Sequence, residues 1–199
     1  MKRSRHWGET KPRWDWEKTK KVVVFAMDDK LGILTPKVIR WMQELLDEFA
    51  IPLDVMKGNL EYSTDLALVK KTLDQSIREN KIDWKEFEEK LRKVRDMGRI
   101  PYGVVILVDK VKYQFYDYKI PNEKRAYYGV GDDGGYVILR HTHKKAVRHE
   151  FAHMLGLGHH EPPRPDCIMN WECPIPSFCD DCKQTIRKLW ADEIKGGEK

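Results

Sequence analysis

Residues 149–159 read His149-Glu150-Phe151-Ala152-His153-Met154-Leu155-Gly156-Leu157-Gly158-His159, the pattern H-E-x-x-H-x-x-G-x-x-H. Every specified position has a part in one chemistry. On a helix, residues four apart leave the same face about one turn apart, so His149 and His153 project together. Two neutral imidazoles at that spacing suit one Zn²⁺, which takes nitrogen ligands at about 2.0–2.1 Å. Gly156 ends the helix where a positive φ is easiest, and the returning chain brings His159 as a third ligand. Three protein ligands leave a fourth position for water, the mark of a catalytic rather than a structural zinc. Glu150, adjacent to the first ligand, is placed to accept a proton from that water rather than to bind metal. From average residue frequencies, five such positions coincide by chance on the order of once in 10⁵ chains of this length. Ala146, Val147, Phe151, Met154 and Leu155 supply apolar positions at helical spacing, so one side of the helix can bury while the histidines face a cleft.

The chain beyond His159 adds Cys167-Ile168-Met169 and then Phe178-Cys179-Asp180-Asp181-Cys182. Together with the long histidine pattern, these residues resemble the archaemetzincins, a branch of the metzincin zinc peptidases. The matching stretch is 149–182; upstream, only the order of elements is compatible. The resemblance implies a metallopeptidase with two zinc ions per chain, one catalytic and one structural. It implies that Met169 forms an apolar floor under the catalytic zinc, and that the cysteines hold the second ion. It also implies that the strand just before the zinc helix, residues 136–141, edges the cleft and pairs with an extended substrate.

Two departures from the family pattern bear on the second ion. The family places a Cys directly after the third His, and here that position is His160. The interval between Met169 and Cys179 is short and contains an extra cysteine, Cys173. Two tetrahedral ligand sets are open: Cys167, Cys173, Cys179 and Cys182, or His160 with Cys167, Cys179 and Cys182. The four-cysteine set is preferred because it uses every cysteine in the chain. Trp171 stands where some other metzincins carry a Tyr near the scissile carbonyl. An indole donates one hydrogen bond but is no acid.

Composition narrows the setting. A chain of 199 residues suits one metallopeptidase domain with a substantial core. Within it, 1–20 reads as a basic N-terminal arm and 160–182 as a cysteine-rich, zinc-holding segment. No apolar run approaches a membrane span, and no apolar stretch follows the basic N-terminus as a secretory signal requires. Four cysteines confined to 167–182, without a signal peptide, read as a metal site in a cytoplasmic protein rather than as disulfides. The net charge is +5. Residues 1–21 hold eight Lys/Arg and three Asp/Glu, which leaves 29 of each sign elsewhere. That arm also carries Trp7, Trp14 and Trp16, a mixture that could contact single-stranded nucleic acid. Tryptophans packed on the domain are the preferred reading, so no nucleic-acid partner is expected. Nothing signals oligomerisation, and a monomer is expected.

Read in order, the chain gives a mixed α/β (α+β) fold of metzincin type, with the zinc helix behind a twisted sheet and a zinc-stapled C-terminal lobe. Lys21 to Met27 is a buried strand, followed by a turn at 28–34. A helix capped by Thr35 runs to about Ala50, and Pro52 to Leu60 is a strand. Helices follow from Asp65 to Glu79 and from Asp83 to Met97, the latter with a cap-like Asp83/Glu86 pair. Tyr102 to Asp109 is the most apolar strand and should be central. Val111, Tyr113, Phe115 and Asp117 alternate as a half-exposed arm. Asp132-Asp133-Gly134 turns a hairpin between 127–130 and 135–141, the zinc helix starts near Lys144, and a last helix covers about 182–194. His141 and His143 read as polar strand-end residues.

The expected reaction is hydrolysis of a peptide bond in a peptide or protein, with Glu150 as general base. A zinc-stabilised binding module with little or no turnover, nucleic acid being one ligand open to it, and hydrolysis of a non-peptide amide are the alternatives, because the motif defines the metal chemistry and not the substrate.

Overall fold

The computed structural model describes residues 5–6, 14, 16–115, 129–161, 163–170, 174 and 177–192. The chain opens with β1 (Arg5–His6) and a single turn, α1 (Trp16–Thr19), before β2 (Lys21–Ala26). A short α2 (Asp29–Gly32), capped by the Asp28 side chain, fills the expected turn. It leads into α3 (Thr35–Glu48). Thr35 is the first helical residue and not the cap; Leu34 holds that position without a side-chain bond, and Pro36 sits in the first turn. Then come β3 (Asp54–Lys57) and α4 (Thr64–Asp74), whose cap is Ser63.

Here the structure departs from the sequence pattern. The helix expected to reach Glu79 stops at Asp74, and β4 (Ile77–Arg78) and β5 (Lys81–Ile82) form a tight hairpin. Glu79 and Asn80 at its tip take φ of 49° and 64°, the geometry a two-residue turn between antiparallel strands demands. Helix α5 (Trp84–Asp96) starts as expected, with Asp83 accepting the Glu86 N–H, and Gly98 closes it at φ 76°. After β6 (Gly103–Leu107), β7 (Gln114–Phe115) leaves the main sheet and pairs with β5 instead. Asp117, Tyr127 and Tyr128 lie outside the described residues. The hairpin of β8 (Gly129–Asp132) and β9 (Tyr136–Leu139) precedes α6 (Lys144–Met154), β10 (His160–Glu161) and α7 (Asp180–Leu189).

The main sheet has the order β3-β2-β6-β9-β8. Its first four strands are parallel and β8 is antiparallel. Both faces are covered, so β2, β6 and β9 are nearly continuous apolar runs. Alternate residues sort by face. Val22, Val24, Val105, Leu107, Val137 and Leu139 share a core with α3, α6 and described residues of the C-terminal part, among them Leu157, Ile168, Phe178 and Trp190. Val23, Phe25, Val104, Ile106, Val108 and Ile138 meet α4 and α5. The central position expected for β6 is what the sheet shows. Residues 136–141, expected to edge the cleft and pair with an extended substrate, contain β9, which is hydrogen-bonded on both sides, while β8 is the outer strand. The hairpin folds β8 back outside β9, so the strand nearest the zinc helix in sequence becomes internal.

Two buried contacts hold that hairpin. Arg95 donates to the main-chain carbonyls of Ile100, Tyr102, Gly134 and Gly135. Burial pulls its guanidinium down to about 10, which still leaves it charged near neutral pH. Trp14 lies against Gly135, where a Cβ would overlap the indole. Trp14 and Trp16 are both buried, and Trp16 meets Trp190 of the C-terminal segment at 4.6 Å between ring centroids. These two tryptophans therefore pack on the domain; Trp7 lies outside the described residues. No described helix is long and apolar enough to cross a membrane.

Strand β8 can lie on α6 only because of two glycines. A Cβ on Gly131 would overlap the Glu150 carbonyl oxygen, and one on Gly129 would come within 2.8 Å of Glu150 Cγ. Gly131→Ala must therefore push a strand off a helix main chain, an overpacking cost of about 2–3 kcal/mol. Gly32, with nothing within 4 Å of an added Cβ, is the contrast. Gly32→Ala should be neutral or stabilise by about 0.5 kcal/mol through the unfolded chain. Urea denaturation of both variants checks the pair.

Candidate metal centre

Helix α6 is defined at both ends by its own sequence. His143 caps it, its Nδ1 accepting the Ala146 N–H at 3.1 Å, which gives this histidine a structural post at the helix start. At the other end Gly156 takes φ 98°, and the Leu157 N–H returns to the Ala152 carbonyl at 2.9 Å. That reversal carries the chain back along the helix to His159. Val147, Phe151 and Met154 bury against the sheet, which turns His149 and His153 to the opposite side.

The three histidines converge. Nε2 of His149 lies 3.2 Å from that of His153 and 3.1 Å from that of His159, and His153 and His159 are 3.1 Å apart. The outer nitrogens explain the protonation state. His149 Nδ1 donates to the Ile168 carbonyl at 2.7 Å, and His153 Nδ1 donates to the Leu157 carbonyl at 2.7 Å. Each neutral imidazole has one proton, so Nε2 of both rings is a bare lone pair pointing inward. Burial disfavours the charged forms, drawing His149 down to about 4 and His153 well below its ordinary value. Lone pairs crowded in this way repel unless a cation lies between them. Tetrahedral ligands at zinc distances are about 3.4 Å apart, close to what is seen. The donor set fits a zinc ion with a position left open.

Glu150 follows His149 and is buried under β8. Burial pushes its carboxyl up to about 8, opposed by a hydrogen bond from the Gly131 N–H. A divalent cation nearby acts in the same sense as that bond and favours the carboxylate.

A second group gathers beside the first. His160 Nε2 lies 3.3 Å from Cys167 Sγ and 3.2 Å from Sγ of both Cys179 and Cys182. Cys167 and Cys182 sulfurs are 3.6 Å apart, far beyond a disulfide bond of about 2.05 Å. All four residues are buried. The hydrogen bond from Cys182, with His160 adding to it, pulls Cys167 down to about 3. That same bond pushes Cys182 up, and burial pushes Cys179 up. Without a cation the pocket therefore favours one thiolate over three. One nitrogen and three sulfurs at these separations make a tetrahedral donor set of the kind structural zinc takes. Cys173 and Trp171 lie outside the described residues. Met169 is buried in the same core as Phe151, Met154 and Leu155.

The structure brings together the three histidines expected from helical spacing, and it gathers Cys167, Cys179 and Cys182, which the family resemblance implied as donors, around His160. Main-chain partners were not legible in the sequence: the carbonyls of Ile168 and Leu157 and the N–H of Gly131 leave no trace in residue type. Arg148 was also missed. It is buried, pairs with Glu48 of α3 and lies 5.5 Å from the centroid of Phe178. Alternate glycines at 129 and 131 were the one available signal of close backbone approach.

No family model matches the chain, and no curated protein does. Among solved structures it is similar to a zinc-dependent peptidase from Methanocorpusculum labreanum (strain Z), at 15% identity and a TM-score of 0.45. The likeness covers 83% of this chain and 99% of that one. Similarity this low transfers no activity, so function is argued from the donor groups themselves.

Metal removal should be costly. An ion present a thousandfold above its dissociation constant adds about 4.1 kcal/mol of stability. At roughly 2–4 °C per kcal/mol for a chain of this size, chelator treatment should lower the Tm by about 8–16 °C. Calorimetry before and after chelation under reducing conditions measures the change.

Proposed function

We propose that this protein is a zinc-dependent peptidase of the archaemetzincin type. The observation that carries the reading is the convergence of three imidazole Nε2 atoms within 3.2 Å, two of them with their only proton committed to a main-chain carbonyl. Zinc held there would supply Lewis acidity, polarising a carbonyl and making a water nucleophilic near neutral pH.

The chain's own groups do the rest. His149, His153 and His159 are the ligands, kept neutral by burial and by the carbonyls behind them. Glu150 accepts the proton of the attacking water and delivers it to the departing amine, so water divides into acid and amine across the broken C–N bond. Gly131 holds the Glu150 carboxyl from the edge strand. Among the described residues no strand pairs with the outer side of β8. An extended substrate therefore pairs with β8 rather than β9, and main-chain pairing gives affinity with little sequence selectivity. Trp171 offers no acid, and among the described residues Glu150 is the group placed to carry the proton. The substrate is a peptide or protein.

The second group holds a structural zinc, giving two ions per chain. His160 is its fourth ligand in place of Cys173, supported by its 3.2–3.3 Å approach to three sulfurs. The gathering of Cys167, Cys179 and Cys182 as thiol donors suits a reducing compartment and supports a cytoplasmic setting.

Glu150→Gln should retain its metal and lose about 10²–10⁴-fold in cleavage of a peptide library. Cleavage by this variant at the wild-type rate removes Glu150 from the mechanism, and a wild-type chain that loads zinc yet cleaves no peptide removes the peptidase reading. His160→Ala should lose one equivalent of zinc, and Cys173→Ser should lose none. The opposite result restores the four-cysteine set.

A further inference from the structure

The two donor groups are joined by very short pieces of chain. His159 and His160 are consecutive, and each belongs to a different group. Cys167 is a donor of the second group, and the next residue, Ile168, supplies the carbonyl that holds His149 Nδ1 at 2.7 Å. Phe178 precedes Cys179, and its ring lies under Arg148, the residue before His149. The Ile168 N–H is itself held by the Ser177 carbonyl at 2.8 Å, two residues before Cys179. Every one of these links spans one or two peptide units.

The two groups differ in how they are supported. His149 and His153 stand on a helix capped at both ends, which needs nothing from the second group to form. His159 and the Ile168 carbonyl stand on the segment 157–170, whose described regular structure is the two-residue β10. A segment with so little hydrogen-bonded structure loses conformational entropy on ordering and needs an external tie. The tie at hand is the group of His160, Cys167, Cys179 and Cys182, which pins the segment at 160 and 167 to α7 and its cap.

We propose that metal in the Cys/His group organises the histidine triad, with His160 and Cys167 acting as positioning residues through their neighbours His159 and Ile168. This rests on the reading of both groups as zinc sites. Loading is then ordered: the Cys/His group fills first, and its filling raises the affinity of the triad. By linkage the triad returns the same factor to the Cys/His group.

Cobalt(II) separates the two sites in one titration. Thiolate ligands give an intense near-ultraviolet charge-transfer band, whereas an imidazole site gives only weak visible bands. The full chain, stripped of metal under reducing conditions, is titrated with cobalt. The charge-transfer band should saturate with the first equivalent and the visible triad band should follow with the second. Cys182→Ser alters a donor on α7, away from every triad ligand in sequence, and should weaken cobalt binding at the triad at least tenfold while far-ultraviolet circular dichroism is retained. Unchanged triad affinity in that variant, or a triad band that rises first in the unmutated chain, overturns the coupling. Should Cys182→Ser not fold, nitrogen-15 NMR of the unmutated chain decides. One equivalent of zinc should bring out an exchange-protected His149 Nδ1–H; equal protection in the metal-free chain overturns the proposal. An unmutated chain that shows only the charge-transfer band removes the peptidase reading and the coupling together, which distinguishes that failure from loss of the coupling alone.

Discussion

The bare imidazole nitrogens of His149 and His153 face one another at 3.2 Å, an arrangement that a cation between them reconciles. The constraint begins outside the triad, at two carbonyls. Because Ile168 and Leu157 take the Nδ1 protons, the inner nitrogens of His149 and His153 have none to share. Much of the surrounding architecture serves those two hydrogen bonds. The turn at Gly156 presents the Leu157 carbonyl one turn below His153, and the Ser177 carbonyl holds the Ile168 peptide from behind. The tautomer is therefore set by main chain, which side-chain substitution cannot readily undo.

The same dependence on main chain governs the other face of the zinc helix. Glu150 meets a strand whose two glycines bring backbone against backbone, so the carboxyl can be held by the Gly131 N–H. A larger residue at either position would separate the helix from the strand proposed to carry substrate. Arg95 and Trp14 secure the far end of the same hairpin. The edge strand is thus tied at its turn and along its length, and the Glu150 carboxyl is held by a rigid partner rather than a loop.

Much of this was readable in the sequence, and what was not has physical reasons. Apolar runs at 22–25 and 103–107 announced the buried strands, because a sheet covered on both sides leaves no alternation to interpret. Asp83 with Glu86 announced α5 because a cap is a local event. The β4–β5 hairpin was hidden, since Glu79 and Asn80 adopt positive φ without the glycine that usually signals it. That 136–141 would have a neighbour on each side was not readable, because order along the chain does not give order across the sheet. For the donors, spacing along one helix located His149 and His153, and Gly156 explained His159. The choice between His160 and Cys173 could not be read from spacing, since it depends on where a loop returns in space.

The clasp of Trp16 on Trp190 joins the first helical turn to the end of the last helix. The pairing of β1 with β10 likewise spans most of the chain. Contacts so distant in sequence form late, because a long loop must close before either partner gains anything. During synthesis the sheet and zinc helix are complete well before Trp190 emerges. Until then the apolar face beneath the metal segment has no cover, and the thiols of Cys167, Cys179 and Cys182 have no enclosure. Metal acquisition is accordingly among the last events of maturation, and the period before it is when this chain is most open to oxidation and to aggregation.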